Sequence, residues 1–359
     1  MKKLCKTLSI ILIRLLKVGD SLKLYMGPGV YPLGPIFILG GDFVMQEVVT
    51  PLEATKKRVP MSKRAMHAQI IGMCFAAPAV LGFLIFNMVP MFMSLYYSFT
   101  DYSIIGRTTN WVGLDNYVRL LTGQDPHFFA SVRATAYFVV LSVPSNLLFA
   151  FGIAILLNRK MVGRSLFRAI FYLPSIVPFV ASAFVWLLLF NPDFGLANQI
   201  LRNLGLPTSM FFLGRNSVIP TIVFMGLWGT GATQIIFLAG LQEIPTHYYE
   251  ALEIDGGHSA HKFLYITLPM ITPTLFFNLV MGIIGAFQVF AQAFVLTRGG
   301  PNNASLFYVF QLWRTAFTYF DMGTASAMAW LLFIVILAIT GLVFRTSNKW
   351  IYYEGGDKE

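Results

Sequence analysis

Six stretches of this chain are long, apolar and free of Asp, Glu, Lys, Arg and His, and nothing else in it restricts the fold as strongly. They are Ile70–Tyr96, Ala134–Leu157, Ala169–Phe190, Val218–Leu241, Met270–Leu296 and Met322–Phe344. Crossing ~30 Å of hydrocarbon takes about 20 mostly apolar residues in a helix, and each stretch is long enough. In lipid the backbone must satisfy its own polar groups, so such runs read as helices. Pro78, Pro90, Pro144, Pro174 and Pro178 lie inside or near them; proline is tolerated there because neighbours re-satisfy the freed carbonyls. The chain is 56% hydrophobic and only 12% charged, whereas soluble domains run near about 25% charged. The expected fold is an all-α membrane protein with six spans.

Orientation follows from Lys and Arg, which concentrate on the cytoplasmic side. With the N-terminus inside, the inner segments hold 19 of the 26 Lys and Arg residues and the outer loops hold 7. The loop with Arg159, Lys160, Arg164 and Arg168 contains no acid, which makes it the strongest inside marker. Both termini and the loop 243–269 are therefore expected in the cytoplasm. The formal charge of +10 does not point to nucleic acid. The basic residues flank spans beside anionic membrane lipid, and no aromatic-lined basic groove accompanies them.

Residues 1–60 read differently from the rest. They carry nine basic and four acidic residues, hence half of the net charge. The apolar stretch Leu8–Leu16 superficially resembles a signal peptide, but Arg14 interrupts it and no small-residue cleavage site follows. A weak amphipathic surface helix fits better, followed by a Gly- and Pro-rich turn region at 27–41. Met61 precedes Ser62-Lys63-Arg64, so the expectation is a dispensable extension or a start at Met61. The six-span domain would then run 61–353, with a short cytoplasmic tail at 354–359. Cys5 and Cys74 form no disulfide framework and no metal-binding spacing.

The spans lack the ionisable residues that proton-coupled carriers need for an ion path, and no inverted repeats with broken spans are evident. The chain also has no metalloprotease, nucleophile-elbow or phosphate-loop signature. His258 and His261 stand three apart with no third ligand near. Energy is thus expected to come from outside the bilayer, and no cofactor is expected in this chain. If ATP and Mg are used, another chain binds them.

The charged insert between the fourth and fifth runs then becomes informative. Pro245 and Thr246 mark a helix start, with Thr246 as the cap. Tyr248, Tyr249 and Leu252 would share one side, with Glu250 and Glu253 on another. Gly256 and Gly257 would stop this helix. Ser259 would cap a second short helix carrying Phe263 and Ile266, closing before Pro269. This segment resembles the signature loop of ABC-importer permeases, whose pattern is Glu-Ala-Ala, three residues, Gly, nine residues, Ile-x-Leu-Pro. Glu250, Ala251, Gly256, Ile266, Leu268 and Pro269 fall in register. Leu252 replaces the second Ala, and Gly257 stands where many relatives have Ala.

Further stretches resemble the carbohydrate-uptake branch of the maltose, lactose and glycerol-phosphate type. They are Val112–Tyr117, Gly163–Arg168, Leu173-Pro174, Leu238–Gln242, Phe287–Phe290 and Leu296–Pro301. The resemblance runs from about Ser62 to Tyr353. It implies a six-transmembrane-helix ABC-importer permease core with a cytoplasmic coupling-helix loop, and no enzyme. It also implies a second homologous permease, two ATP-binding subunits and an extracytoplasmic sugar-binding protein as partners. Glu250, Ala251, Leu252, Asp255, Gly256, Ile266, Leu268 and Pro269 would make up the ATPase-coupling segment.

For the solute, the resemblance points to the fourth and fifth spans. Asn278, Gln288 and Gln292 would fall within about 80° on one helix, and Trp228, Gly229 and Gln234 offer a second set. Gln288 and Gln292 serve equally well as interhelical hydrogen-bonding groups. The polar positions of maltose-type relatives fall here on Gly282, Ala286 and Val289, so specificity should differ from maltose. A sugar or neutral polyol is the expected solute. Another solute such as glycerol phosphate, an ion-coupled carrier and a non-transporting scaffold stay open at this point.

Overall fold

A computed structural model describes residues 63–106 and 109–352. The chain divides between Met66 and His67, and the structure below is that of the unit from His67 onward, apart from the start of its first helix. The N-terminal extension, Met61 and the tail 354–359 lie outside the described residues.

The described residues form helices and two isolated β-bridges. In chain order they are α1 (Lys63–Phe83, continued through Leu84–Met88 and Val89–Ser98), α2 (Asp115–Leu121), α3 (Phe128–Asn158), α4 (Arg164–Ile176) and α5 (Phe179–Leu189). Then come α6 (Leu196–Asn203), α7 (Val218–Trp228), α8 (Gly231–Glu243) and α9 (Thr246–Ile254). The chain ends with α10 (Ser259–Met270), α11 (Thr272–Phe287), α12 (Tyr308–Trp313) and α13 (Met322–Ser347).

By length and composition, Ile70–Ser98, Phe128–Asn158 and Met322–Ser347 are continuous helices long enough to cross a membrane. The other three expected spans are broken pairs, which the sequence reading did not foresee. α4 and α5 meet at 99°, α7 and α8 at 53°, and α10 and α11 at 59°.

Each break has a local cause. Pro178 disfavours helix at Val177, and both residues are extended, with ψ of 130° and 132°. Between α7 and α8, Gly229 and Thr230 have ψ near zero (9° and 3°), so the ladder lapses for two residues. At Ile271, Pro273 has no N–H to give the carbonyl of Pro269. The Thr272 hydroxyl donates to that carbonyl instead, at 2.6 Å.

α3 is the axis of the bundle. It packs against α7, α8, α11 and α12 and contributes to three apolar clusters. Ala134 and Phe138 join Phe190, Ile222 and Phe307 in one. Ala150, Phe151, Ala154 and Leu157 join Phe237, Leu241, Ile266 and Ile271 in another. Phe128 meets Leu120, Tyr308 and Met328 in the third. Gly231 lets α8 approach α4, since a Cβ there would lie 2.9 Å from the Phe171 carbonyl oxygen.

Candidate functional site

A cavity of about 760 Å³ lies between α3, α7, α8 and α11. Small residues make room for it: Gly226, Gly229, Gly282 and Gly285 line it, with Ala232 and Ala286. Its polar groups are Ser142, Asn146, Thr230, Thr233, Asn278, Gln288 and Gln292, and Phe138, Phe277 and Phe290 add aromatic surface. Among the lining residues there is no Asp, Glu, Lys, Arg or His. Such a chamber can accept and donate hydrogen bonds and stack on rings. It cannot neutralise a charge, and burying an unpaired charge is costly.

The polar groups are only partly committed to the protein. Asn146 Nδ2 donates to the Ser142 carbonyl at 2.8 Å, and Asn278 Nδ2 to the Thr274 carbonyl at 2.9 Å. The side-chain carbonyl oxygens of both residues remain as acceptors. The buried Ser142 hydroxyl has no hydrogen-bond partner among the described residues.

Of the residues expected on the solute path, Gly229, Asn278, Gln288 and Gln292 line this cavity. Trp228 and Gln234 do not. Trp228 packs edge-on against Trp186, with ring centroids 5.9 Å apart. Gln234 is buried and its Nε2 has no partner among the described residues. The single-helix sector expected for Asn278, Gln288 and Gln292 is not formed, because α11 ends at Phe287. The unwound segment 288–290 turns the chain along the cavity wall and brings Gln288 and Gln292 to the space that Asn278 faces. Gly282, Ala286 and Val289 also line it, so their lack of polar groups shapes the site directly. Ser142 and Asn146 went unread as site residues, although two polar residues four apart in an apolar run do mark one helix face.

At one end of the bundle, α9 and α10 form the two-helix loop. α9 starts at Thr246 with Pro245 as its cap, and α10 starts at Ser259 with His258 as its cap, each one residue from the expected position. Gly256 takes φ +78°, and its N–H donates to the Glu253 carbonyl at 3.1 Å. The Gly257 N–H donates to the Leu252 carbonyl at 2.8 Å. These two bonds make a Schellman end, which needs a left-handed residue at Gly256.

α10 does not stop before Pro269. Its middle, Lys262–Thr267, is a π-helical turn in which the Leu268 N–H reaches back to the Phe263 carbonyl. The wider turn takes up the register around Pro269, so the helix continues to Met270.

The inner side of the loop is apolar. Tyr248, Tyr249, Leu252, Phe263 and Ile266 pack on the cluster around Phe151 and Phe237. Tyr249 Oη lies 3.0 Å from Thr267 Oγ1, and Lys262 pairs with Glu253. The outer side shows Glu250, Ala251, Ile254, Asp255 and Gly256. Leu268 is 36% exposed, while Pro269 is half-buried. Ile254, 87% exposed, is the most prominent apolar knob of the loop, and the sequence reading passed over it. Leu252 faces this chain's own core rather than outward. It also explains Gly257, where a Cβ would lie 2.5 Å from Leu252 Cγ.

Residues 146–352, more than half of the chain, match the family described as binding-protein-dependent transport system inner membrane component. The chain belongs to that family. The permease is 39% identical to the probable ABC transporter permease protein YesP of Bacillus subtilis, over 83% of this chain and 96% of that one. It is 31% identical to the arabinooligosaccharides transport system permease protein AraP of the same organism, over 77% and 88% of the two chains. Its fold is that of a chain in the crystal structure of a bacterial ABC transporter that imports the acidic polysaccharide alginate. There the TM-score is 0.70 at 22% identity, covering 80% of this chain and 98% of that one. The permease is thus a multi-pass membrane subunit of an ABC importer and not an enzyme.

Proposed function

We propose that this permease forms half of the membrane path for a neutral sugar or short oligosaccharide. The observation that carries this reading is the cavity's lining, with seven uncharged polar side chains, three phenylalanines and no ionisable group. A sugar offers hydroxyls to the former and C–H faces to the latter. A glycerol phosphate would carry about two negative charges into a chamber that offers no cation.

The loop 246–270 faces the cytoplasm in this reading, with both chain ends, a placement that the Lys and Arg distribution supports. The exposed face of α9, with Glu250, Ala251, Ile254 and Asp255, docks on an ATP-binding subunit. Two such subunits hold ATP and Mg, a second homologous permease completes the path, and an extracytoplasmic binding protein delivers solute. Closure of the ATPase pair moves α9 and α10 as a braced unit, because Tyr249–Thr267 and Glu253–Lys262 tie them together. α10 runs into α11 with a bend only at Ile271, so displacement of the loop reaches the cavity wall.

Uptake by proteoliposomes containing the whole transporter tests this reading. Accumulation of a neutral sugar should require ATP and the binding protein and should survive an uncoupler. Accumulation that collapses with the uncoupler, or a preference for glycerol phosphate over every neutral sugar, would refute it.

A further inference from the structure

The arginines of Gly163–Arg168 take no part in either the cavity or the α9–α10 loop. They lie on the side of α4 that faces the bundle, at the end of α8. Arg164 Nε donates to the Leu157 carbonyl at 2.7 Å and its Nη2 to Asn158 Oδ1 at 3.4 Å. With the Gln242 amide turned so that its oxygen faces them, that oxygen accepts from Arg168 Nη2 at 2.7 Å and from Arg164 Nη2 at 3.2 Å. Every acceptor the two guanidinium groups meet, the Gln242 amide they share included, is neutral. Among the described residues, neither has a carboxylate within ion-pair distance, and Arg168 Nε is buried without a partner. Both side chains are only half-buried, so the crevice is open to an outside group.

We propose that this crevice binds the phosphate of an anionic membrane phospholipid. Two adjacent guanidiniums without a counter-ion repel each other, and a phosphate oxygen fits their planar donor forks. What the phosphate is attached to follows from where the pair lies, at the ends of helices of a membrane subunit and on the expected cytoplasmic side, where anionic headgroups gather. The exposed Leu166, Ile170 and Leu173 lie on the opposite side of α4, at least about 120° round the helix from the arginines, and take no part in the site. Basic pockets between membrane helices are a recurring form of headgroup site. The lipid would hold the start of α4 against the end of α8.

Native mass spectrometry of the full-length chain with its co-purifying subunits, extracted in mild detergent, tests this directly. The probes are phosphatidylglycerol, phosphatidylcholine and inorganic phosphate. The expected result is one retained phosphatidylglycerol per permease, not displaced by phosphatidylcholine or by millimolar inorganic phosphate. Arg164→Gln with Arg168→Gln should lower retention at least about tenfold, since charge-assisted hydrogen bonds are lost. Arg159→Gln with Lys160→Gln removes the same charge outside the crevice and should leave retention unchanged. If the double crevice variant fails to assemble, Arg168→Lys serves in its place and should weaken retention, because a point charge does not reproduce the fork. Three results would overturn the proposal: equal loss in both double variants, displacement by inorganic phosphate, or no retained phosphatidylglycerol in the unaltered protein.

Discussion

Replacing Gly257 by Ala puts a methyl group where Leu252 already is. The new Cβ would lie 2.5 Å from Leu252 Cγ, 2.9 Å from its Cδ1 and 2.8 Å from its carbonyl oxygen. Carbon atoms settle at about 3.5–4.0 Å, so the leucine must retreat by roughly 1 Å. It cannot do so freely, because it packs on the cluster holding Phe151, Phe237 and Ile266. Overpacking of this kind costs about 1–3 kcal/mol. Strain in φ adds nothing, since only Gly256 of this pair is left-handed. Leu252→Ala alone empties a half-buried site and should cost about 1–2 kcal/mol, below the range for a fully buried leucine. In the double variant two of the three close contacts disappear, and a small shift of the Leu252 carbonyl accommodates the third. Its destabilisation should therefore fall short of the sum of the singles by about 1–2 kcal/mol. Denaturant titration of the four proteins in detergent measures this coupling. Additive effects within about 0.5 kcal/mol, the usual figure for independent sites, would refute the reasoning. So would a neutral Gly257→Ala. A positive result would make the two departures from the signature pattern, Leu252 and Gly257, a single compensated change.

Gly256 poses the complementary case: a Cβ there meets nothing within 4 Å, but φ is +78°. Gly256→Asn and Gly256→Asp should both fold, at about 1 kcal/mol of backbone strain. Only the aspartate adds charge to the outer face, so ATPase co-purification and uptake should fall for it and largely survive for asparagine. Gln288→Leu with Gln292→Leu should raise the apparent KM for sugar several-fold while the complex still assembles, as uptake kinetics and gel filtration would show. Gly285→Leu should do something less intuitive. The site is open space facing the cavity, so the helix gains about 0.5–1 kcal/mol from losing a glycine while uptake drops as the cavity fills. Thermal unfolding and uptake, measured on the same preparation, should move in opposite directions.

The apolar runs were legible because lipid leaves the backbone few options. Where those helices break was not, because the breaks depend on single residues whose effect is context-dependent. Pro144 sits inside the continuous α3, whereas Pro178 and Pro273 stand at right-angled or kinked joints. The end of α11 at Phe287 has no proline at all, and this is why a helical-wheel argument failed for Gln288 while the cavity still gathered it. Gly256 was readable from its spacing, since a helix end of this type demands a left-handed residue. The inward packing of Leu252 was not, because it depends on the core beneath the loop. Trp228 and Gln234 drew attention as polar or aromatic groups in an apolar run. Trp228 instead packs against Trp186, and Gln234 is buried away from the cavity.

The central claim is that the exposed face of α9 is where a separate ATPase moves this permease. A photo-crosslinking amino acid at position 254, in native membranes, tests it most directly, because Ile254 is 87% exposed and takes no part in the core below. One dominant adduct with a cytoplasmic ATP-binding subunit, changing in yield when ATP is trapped, is the predicted result. An adduct with an extracytoplasmic binding protein, or lipid adducts alone, would contradict the account.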